Sequence, residues 1–193
     1  MLFPLSFMSS TCTLQRRYRK QKLSYTSGTG TPTVGQTITG GSSLETAEVT
    51  KIGTGYIIVK DLSGTFTIGE TISTLTFSGT LSAQVDYQNQ SGEYDYYWLD
   101  DQTLVPCRFG FGYSGTDKKG LIIHETGQLL DLPVKIALPD TITLVGTQSA
   151  WAENYRIVST TPGFYGTFQI LTPYVIQGIS GIDHYAMILK AVL

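Results

Sequence analysis

The chain has 193 residues with a formal net charge of −2, the size of one domain or of one domain carrying a smaller insert. Near-neutrality excludes a global electrostatic pull toward nucleic acid, and no run approaches the roughly 20 apolar residues of a membrane-spanning helix. Charged residues make up only 15% of the chain, and 12 Tyr, 8 Phe and 21 Gly favour strands joined by tight turns over helices.

The start, Met1 to Met8, is apolar with no basic segment ahead of it. It reads as a mature N-terminus that docks on the domain or a neighbour, not as a secretory signal. Thr11 to Gln15 alternates as a strand does. Arg16-Arg17-Tyr18-Arg19-Lys20-Gln21-Lys22 then holds five of the 13 basic residues. On a strand, Arg16, Tyr18 and Lys20 share one face and Arg17 and Arg19 the other. Ser27-Gly28-Thr29-Gly30-Thr31-Pro32 reads as a loop.

A near-duplicated phrase follows. Val34-Gly35-Gln36-Thr37-Ile38-Thr39-Gly40 returns as Ile68-Gly69-Glu70-Thr71-Ile72-Ser73, 34 positions later. Ser27-Gly28-Thr29 and Ser63-Gly64-Thr65 precede the copies, and Ala47-Glu48-Val49 is matched by Ala83-Gln84-Val85, 36 positions apart. Between them Ala47–Ile52 and Gly55–Lys60 read as strands around a Gly53-Thr54 turn. A repeat of this size marks a supersecondary unit that buries its apolar face against its own copy. Two copies are too few for a solenoid, so the pair is expected to close on itself as one compact module.

From residue 86 the character changes. Tyr87, Tyr94, Tyr96, Tyr97 and Trp98 interleave with Asp86, Glu93, Asp95, Asp100 and Asp101. Strands are predicted at Leu104–Phe109, Leu121–Glu125, Leu132–Pro139, Trp151–Thr160 and Thr167–Thr172. A Gly-rich loop bearing Lys118 and Lys119 falls among them, and the tail Gly181–Lys190 reads as a final strand or a short helix. The fold class is mainly β: a small β-barrel core from residues 1–26 and 86–193, with an inserted β-rich module at 27–85. Insertions of this kind sit at surface loops, so deleting residues 30–85 is expected to leave the flanking core folded.

The pattern for catalysis is thin. His124 and His184 each lack a neighbouring nucleophile pattern, and Cys12 and Cys107 lie 95 positions apart without metal-site spacing. The cysteines read as two buried free thiols, with one disulfide as the alternative. No phosphate-binding Gly-rich motif opens a helix, and Asp95, Asp100 and Asp101 lack the EF-hand order. A non-enzymatic protein without cofactor or metal is expected. The basic run has two readings: a solvated edge strand guarded by charge, or a contact with phosphate backbone or an acidic subunit. Lys118 and Lys119 invite the same comparison.

The flanks resemble the head-closure, or stopper, proteins of tailed bacteriophages, a head-tail joining family. The matching stretches are Thr11-Cys12-Thr13-Leu14-Gln15-Arg16-Arg17, Thr103-Leu104-Val105-Pro106-Cys107-Arg108, Leu132-Pro133-Val134-Lys135-Ile136-Ala137-Leu138-Pro139 and Asn154-Tyr155-Arg156-Ile157-Val158-Ser159-Thr160. The repeat is similar to small β modules of phage virion proteins. A Gly-Asp-Arg-Ile type phrase is absent, which leaves stopper and tail-completion roles both open.

The resemblance implies a β-barrel assembled as a homo-oligomeric, sixfold ring in the virion neck, between portal or adaptor and tail, after synthesis in the host cytoplasm. It implies no membrane contact and a non-specific contact with packaged DNA. The DNA-channel candidates are then Lys118, Lys119, Arg16, Arg17, Arg19 and Lys20. Ring contacts are heterologous, and Tyr94, Tyr96, Tyr97 and Trp98 are candidates for one patch, with core packing as the alternative. The competing function is a carbohydrate-binding or decoration module of the virion, with the exposed tyrosines and Trp98 stacking on sugar rings.

Overall fold

The structure is a computed structural model that describes residues 8–111, 134–178 and 181–192. The chain is mainly β and divides into two compact units, residues 1–17 with 100–193 and residues 18–99. Each unit holds one closed six-stranded antiparallel barrel.

The first barrel has the strand order β1 (Ser10–Arg19), β10 (Tyr155–Ser159), β11 (Gly166–Gly178), β12 (Gly181–Val192), β9 (Val134–Pro139) and β8 (Tyr96–Phe111). Period-two burial explains why these segments are strands. Cys12 and Leu14, Tyr155 and Ile157, Ile136 and Leu138, and Tyr185, Met187 and Leu189 point inward and fill one core. The tail Gly181–Lys190 is therefore strand, and β8 begins eight residues before the predicted Leu104.

The expected strand from Trp151 is a helix up to Asn154. Helix α1 (Gln148–Asn154) precedes β10. Ala150, Ala152 and Glu153 are good helix formers, and the strand pattern starts only at Tyr155. Buried Trp151 anchors α1, donating from Nε1 to the Gly146 carbonyl at 3.3 Å and meeting Tyr185 edge-on at 5.4 Å.

The second barrel has the order β2 (Gln21–Gly30), β5 (Tyr56–Lys60), β4 (Thr46–Gly53), β3 (Thr37–Gly40), β6 (Thr71–Ser73) and β7 (Phe77–Asp86). Its extent exceeds the expected 27–85. Strand β2 pairs with both β5 and β7, and fully buried Leu23 packs with Ile57 and Val59. The predicted loop at residues 27–32 is thus strand as far as Gly30, whose partner is Phe77 across a register shift. Local Gly and Thr content suggested a loop, but pairing with a strand almost 50 residues away decides the conformation.

The duplicated phrase builds a pseudo-twofold. Strands β3 and β6 pair antiparallel, Thr39 opposite Ser73 and Gly40 opposite Ile72, so the two copies lie side by side. Each copy enters through the same turn. Gln36 N donates to the Thr33 carbonyl and Glu70 N to that of Thr67, while Gly35 N bonds to Val49 and Gly69 N to Leu81. Gly35 and Gly69 hold φ of +86° and +91°, a conformation that favours glycine. Ile38 faces Ala47 and Ile72 faces Gly79, so equivalents further on lie 32 apart rather than 36. The predicted match of Ala47-Glu48-Val49 to Ala83-Gln84-Val85 is not the structural one. The β3–β4 connection is two residues longer than the β6–β7 connection, and that accounts for the slip.

Candidate functional site

The basic run is split by the division between units. In the first unit Arg17 lies 3.7 Å from Glu153 and Arg16 sits opposite Tyr155. In the second unit Arg19 donates to Asp86 at 2.5 Å. That bond pushes the guanidinium up and, as its main cause, holds the Asp86 carboxyl below its ordinary value. Gln21 donates to the other Asp86 oxygen, and Lys20 donates to Asp95 at 2.8 Å. Surface pairs of this kind stabilise little individually, but they offset the local positive field. Arg17, Arg19 and Lys20 each face a carboxylate before any phosphate arrives. Lys118, Lys119 and His124 lie outside the described residues.

The aromatic candidates all lie in the second unit. Tyr97 stacks on Tyr18 at 5.8 Å, and burial pushes its hydroxyl pKa up. Tyr94 meets Tyr96 edge-on at 6.5 Å, and the Arg19 guanidinium covers one Tyr94 face at 4.0 Å. Tyr94 is 38% exposed, and Trp98 is half-buried.

Residues 87–95 form a short hairpin, with Gln88 bridged to Tyr94. Its tip is an Asn89-Gln90-Ser91-Gly92 turn in which the Asn89 side chain accepts from Ser91 N at 2.9 Å and Glu93 N at 3.0 Å. Both arms are pinned to Lys20, because Lys20 N donates to the Asp95 carbonyl and Tyr87 N to the Lys20 carbonyl. The hairpin borders a cavity of about 600 Å³ on the barrel's outer wall. Ile58 lines it. Its neighbours Ile57 and Val59 point into the core, so Ile58 points outward, yet it is only 1% exposed. A register shift at Thr50 places Thr50 and Lys51 on the same outer wall, as an inserted bulge residue does. Tyr87, Asn89, Glu93, Tyr94 and Asp95 complete the lining with Lys20. Trp98 is not part of it.

Glu70 is the one buried carboxylate of the second barrel among the described residues, 7% exposed. Oε2 accepts from Ser42 N, Ser42 Oγ and Ser43 N, and Oε1 from Ser43 Oγ and Thr67 N, at 2.8–3.0 Å. Burial pushes its pKa up, but these donors outweigh burial and hold it at about 2. Its counterpart Gln36 accepts from Thr76 Oγ1 at 3.1 Å. Each copy thus reaches the other copy's connection, and the longer, serine-bearing one takes the charged residue. With its acceptors filled, Glu70 is a latch rather than a proton carrier.

In the first barrel Cys12 and Cys107 are buried free thiols. Their mutual hydrogen bond, and then burial, push the Cys12 pKa up. No group of three metal-ligating side chains occurs among the described residues, and none of their helices is long and apolar enough to cross a membrane. Comparison with protein-family models, with curated proteins and with solved structures returns no match.

Thr50, Lys51, Ile58 and Asn89 are the lining residues that sequence reasoning missed. The Asn and Ser-Gly turn between Tyr87 and Tyr94 was a readable hairpin signal. The bulge that places Thr50 and Lys51 leaves no mark in the sequence.

Proposed function

We propose that the chain is a structural virion protein of the phage neck, a head-closure or tail-completion protein that forms a ring joining portal or adaptor to tail. The observation that supports this reading is the coherence of the flanks. Apart from Asn154 and Thr160, the described residues of the four phrases that carry the resemblance lie in β1, β8, β9 and β10, and these strands, which come from sequence before and after the second unit, belong to one closed barrel. Strand β1 lies beside β10, and β8 beside β9.

In the ring, the pairing of Arg17, Arg19 and Lys20 with acids transfers the DNA contact to Lys118 and Lys119. Electron microscopy and native mass spectrometry of the chain, alone and with portal and tail components, test this. A closed ring on the portal complex supports the reading, and a monomer that ignores both neighbours refutes it. Lys118→Gln with Lys119→Gln is expected to lower retention of packaged DNA while leaving the ring intact.

A further inference from the structure

The cavity beside the 87–95 hairpin is the feature that the neck assignment leaves unused. Its volume, about 600 Å³, falls within the small-molecule range. Its chemistry narrows the ligand. Lys20 and Lys51 are balanced by Glu93 and Asp95, so the site offers no net attraction to a phosphate or sulfate. Lys20 and Asp95 hold each other at 2.8 Å. Lys51 and Glu93 have no ion-pair partner among the described residues. The Tyr87 and Tyr94 rings supply apolar surface over a buried Ile58, while the remaining lining is dense in carboxylate, amide and ammonium groups. A purely apolar ligand would leave those polar groups desolvated and unpaired.

A ligand that satisfies both halves has apolar C–H faces and many hydroxyls, which describes a pyranose. We propose that the second barrel carries an oligosaccharide-binding cleft, with the sugar's C–H face on Tyr94 and its hydroxyls on Glu93, Asn89 and Lys51. The site is preorganised. Arg19 braces the Tyr94 ring at 4.0 Å, and Lys20 holds both hairpin arms through the backbone. Little ordering is then required on binding. This inference stands apart from ring assembly, because all the lining residues belong to one unit of one chain.

The test uses the full-length chain. Saturation-transfer NMR with maltotriose, cellotriose and chitotriose is followed by an array of bacterial capsule and O-antigen glycans. A heparin disaccharide and diglycine serve as anionic and zwitterionic comparisons. Binding of an uncharged or amino sugar is expected, weakened about tenfold by Tyr94→Ala and retained by Tyr94→Phe. Glu93→Gln is expected to weaken it about fivefold. Native-like tryptophan fluorescence confirms folding, and if Tyr94→Ala unfolds, Glu93→Gln carries the test alone. Absence of binding across both glycan sets overturns the proposal. So does binding indifferent to Tyr94 and Glu93, or tighter binding of the heparin disaccharide or diglycine. None of these outcomes bears on whether the chain forms a ring.

Discussion

Replacing Glu70 by glutamine removes the charge at the centre of the latch while keeping its shape. The amide can keep an acceptor only on one side. With its oxygen at the Oε2 position it still serves Ser42 N, Ser42 Oγ and Ser43 N, and its NH₂ donates to Ser43 Oγ, whose hydroxyl can rotate. Thr67 N–H then faces a donor. The cost follows from proton linkage. Lowering the carboxyl from its ordinary 4.5 to about 2, at about 1.4 kcal/mol per tenfold change in proton affinity, means the ionised latch stabilises the folded unit by about 3 kcal/mol.

Because the folded value lies below the unfolded one, this contribution is complete above about pH 5 and is lost as the pH falls toward 2. Urea unfolding followed by fluorescence measures it. With one tryptophan in each unit, a Trp151→Phe background makes Trp98 the reporter of the second unit. Glu70→Gln is expected to lose about 3 kcal/mol at pH 7, and the two curves are expected to converge near pH 2. A loss under about 1 kcal/mol at pH 7, or a difference that does not shrink with acid, would refute the latch.

Gly40→Ala tests the same cradle from the strand side. An added Cβ would stand 2.6 Å from Glu70 Oε1 and closer still to Ser43 Oγ, so a loss of about 2 kcal/mol is expected. Combined with Glu70→Gln, the losses are expected to fall short of additive. In the first barrel both thiols are expected to ignore Ellman's reagent until the barrel unfolds, since both are buried and out of the reagent's reach; rapid labelling of native protein would contradict this. Tyr155→Phe strands Val145 N, which donates to the Tyr155 hydroxyl at 2.9 Å. It is expected to cost about 1 kcal/mol, read from Trp151 in a Trp98→Phe background.

What the sequence made legible was local. Alternation from Thr11 to Gln15 located β1, the Gly53-Thr54 punctuation located the β4–β5 hairpin, and the phrase at Gly35 and Gly69 located two equivalent turns. What it hid was set by distant partners. The loop-like composition of Ser27-Gly28-Thr29 is overridden because β2 completes a barrel with β7. Lys20 looked like part of a bare cationic strand because Asp95, its partner, lies 75 positions away. The pocket depended on a single extra residue at Thr50, and periodicity does not register one residue. Trp151 looked like strand because aromatic content outweighed the short helical run around it.

The pseudo-twofold also changes where the second unit can be cut. Strand order runs β5-β4-β3 on one side of the central pair and β6-β7-β2 on the other, so β2 is the counterpart of β5. The repeat therefore has three strands per copy, and the third strand of the second copy precedes both copies in sequence. Deleting residues 30–85 would leave β2 without β5 and β7, exposing Leu23 and an unpaired edge that invites aggregation. Deleting residues 18–99 and joining Arg17 to Asp100 through a short Gly/Ser linker removes the whole barrel instead. The longer deletion is expected to give a monodisperse first barrel that unfolds cooperatively by Trp151 fluorescence, and the shorter one an aggregating protein. If the shorter deletion proves as well behaved as the longer, β2 does not depend on the repeat and the three-strand unit is wrong.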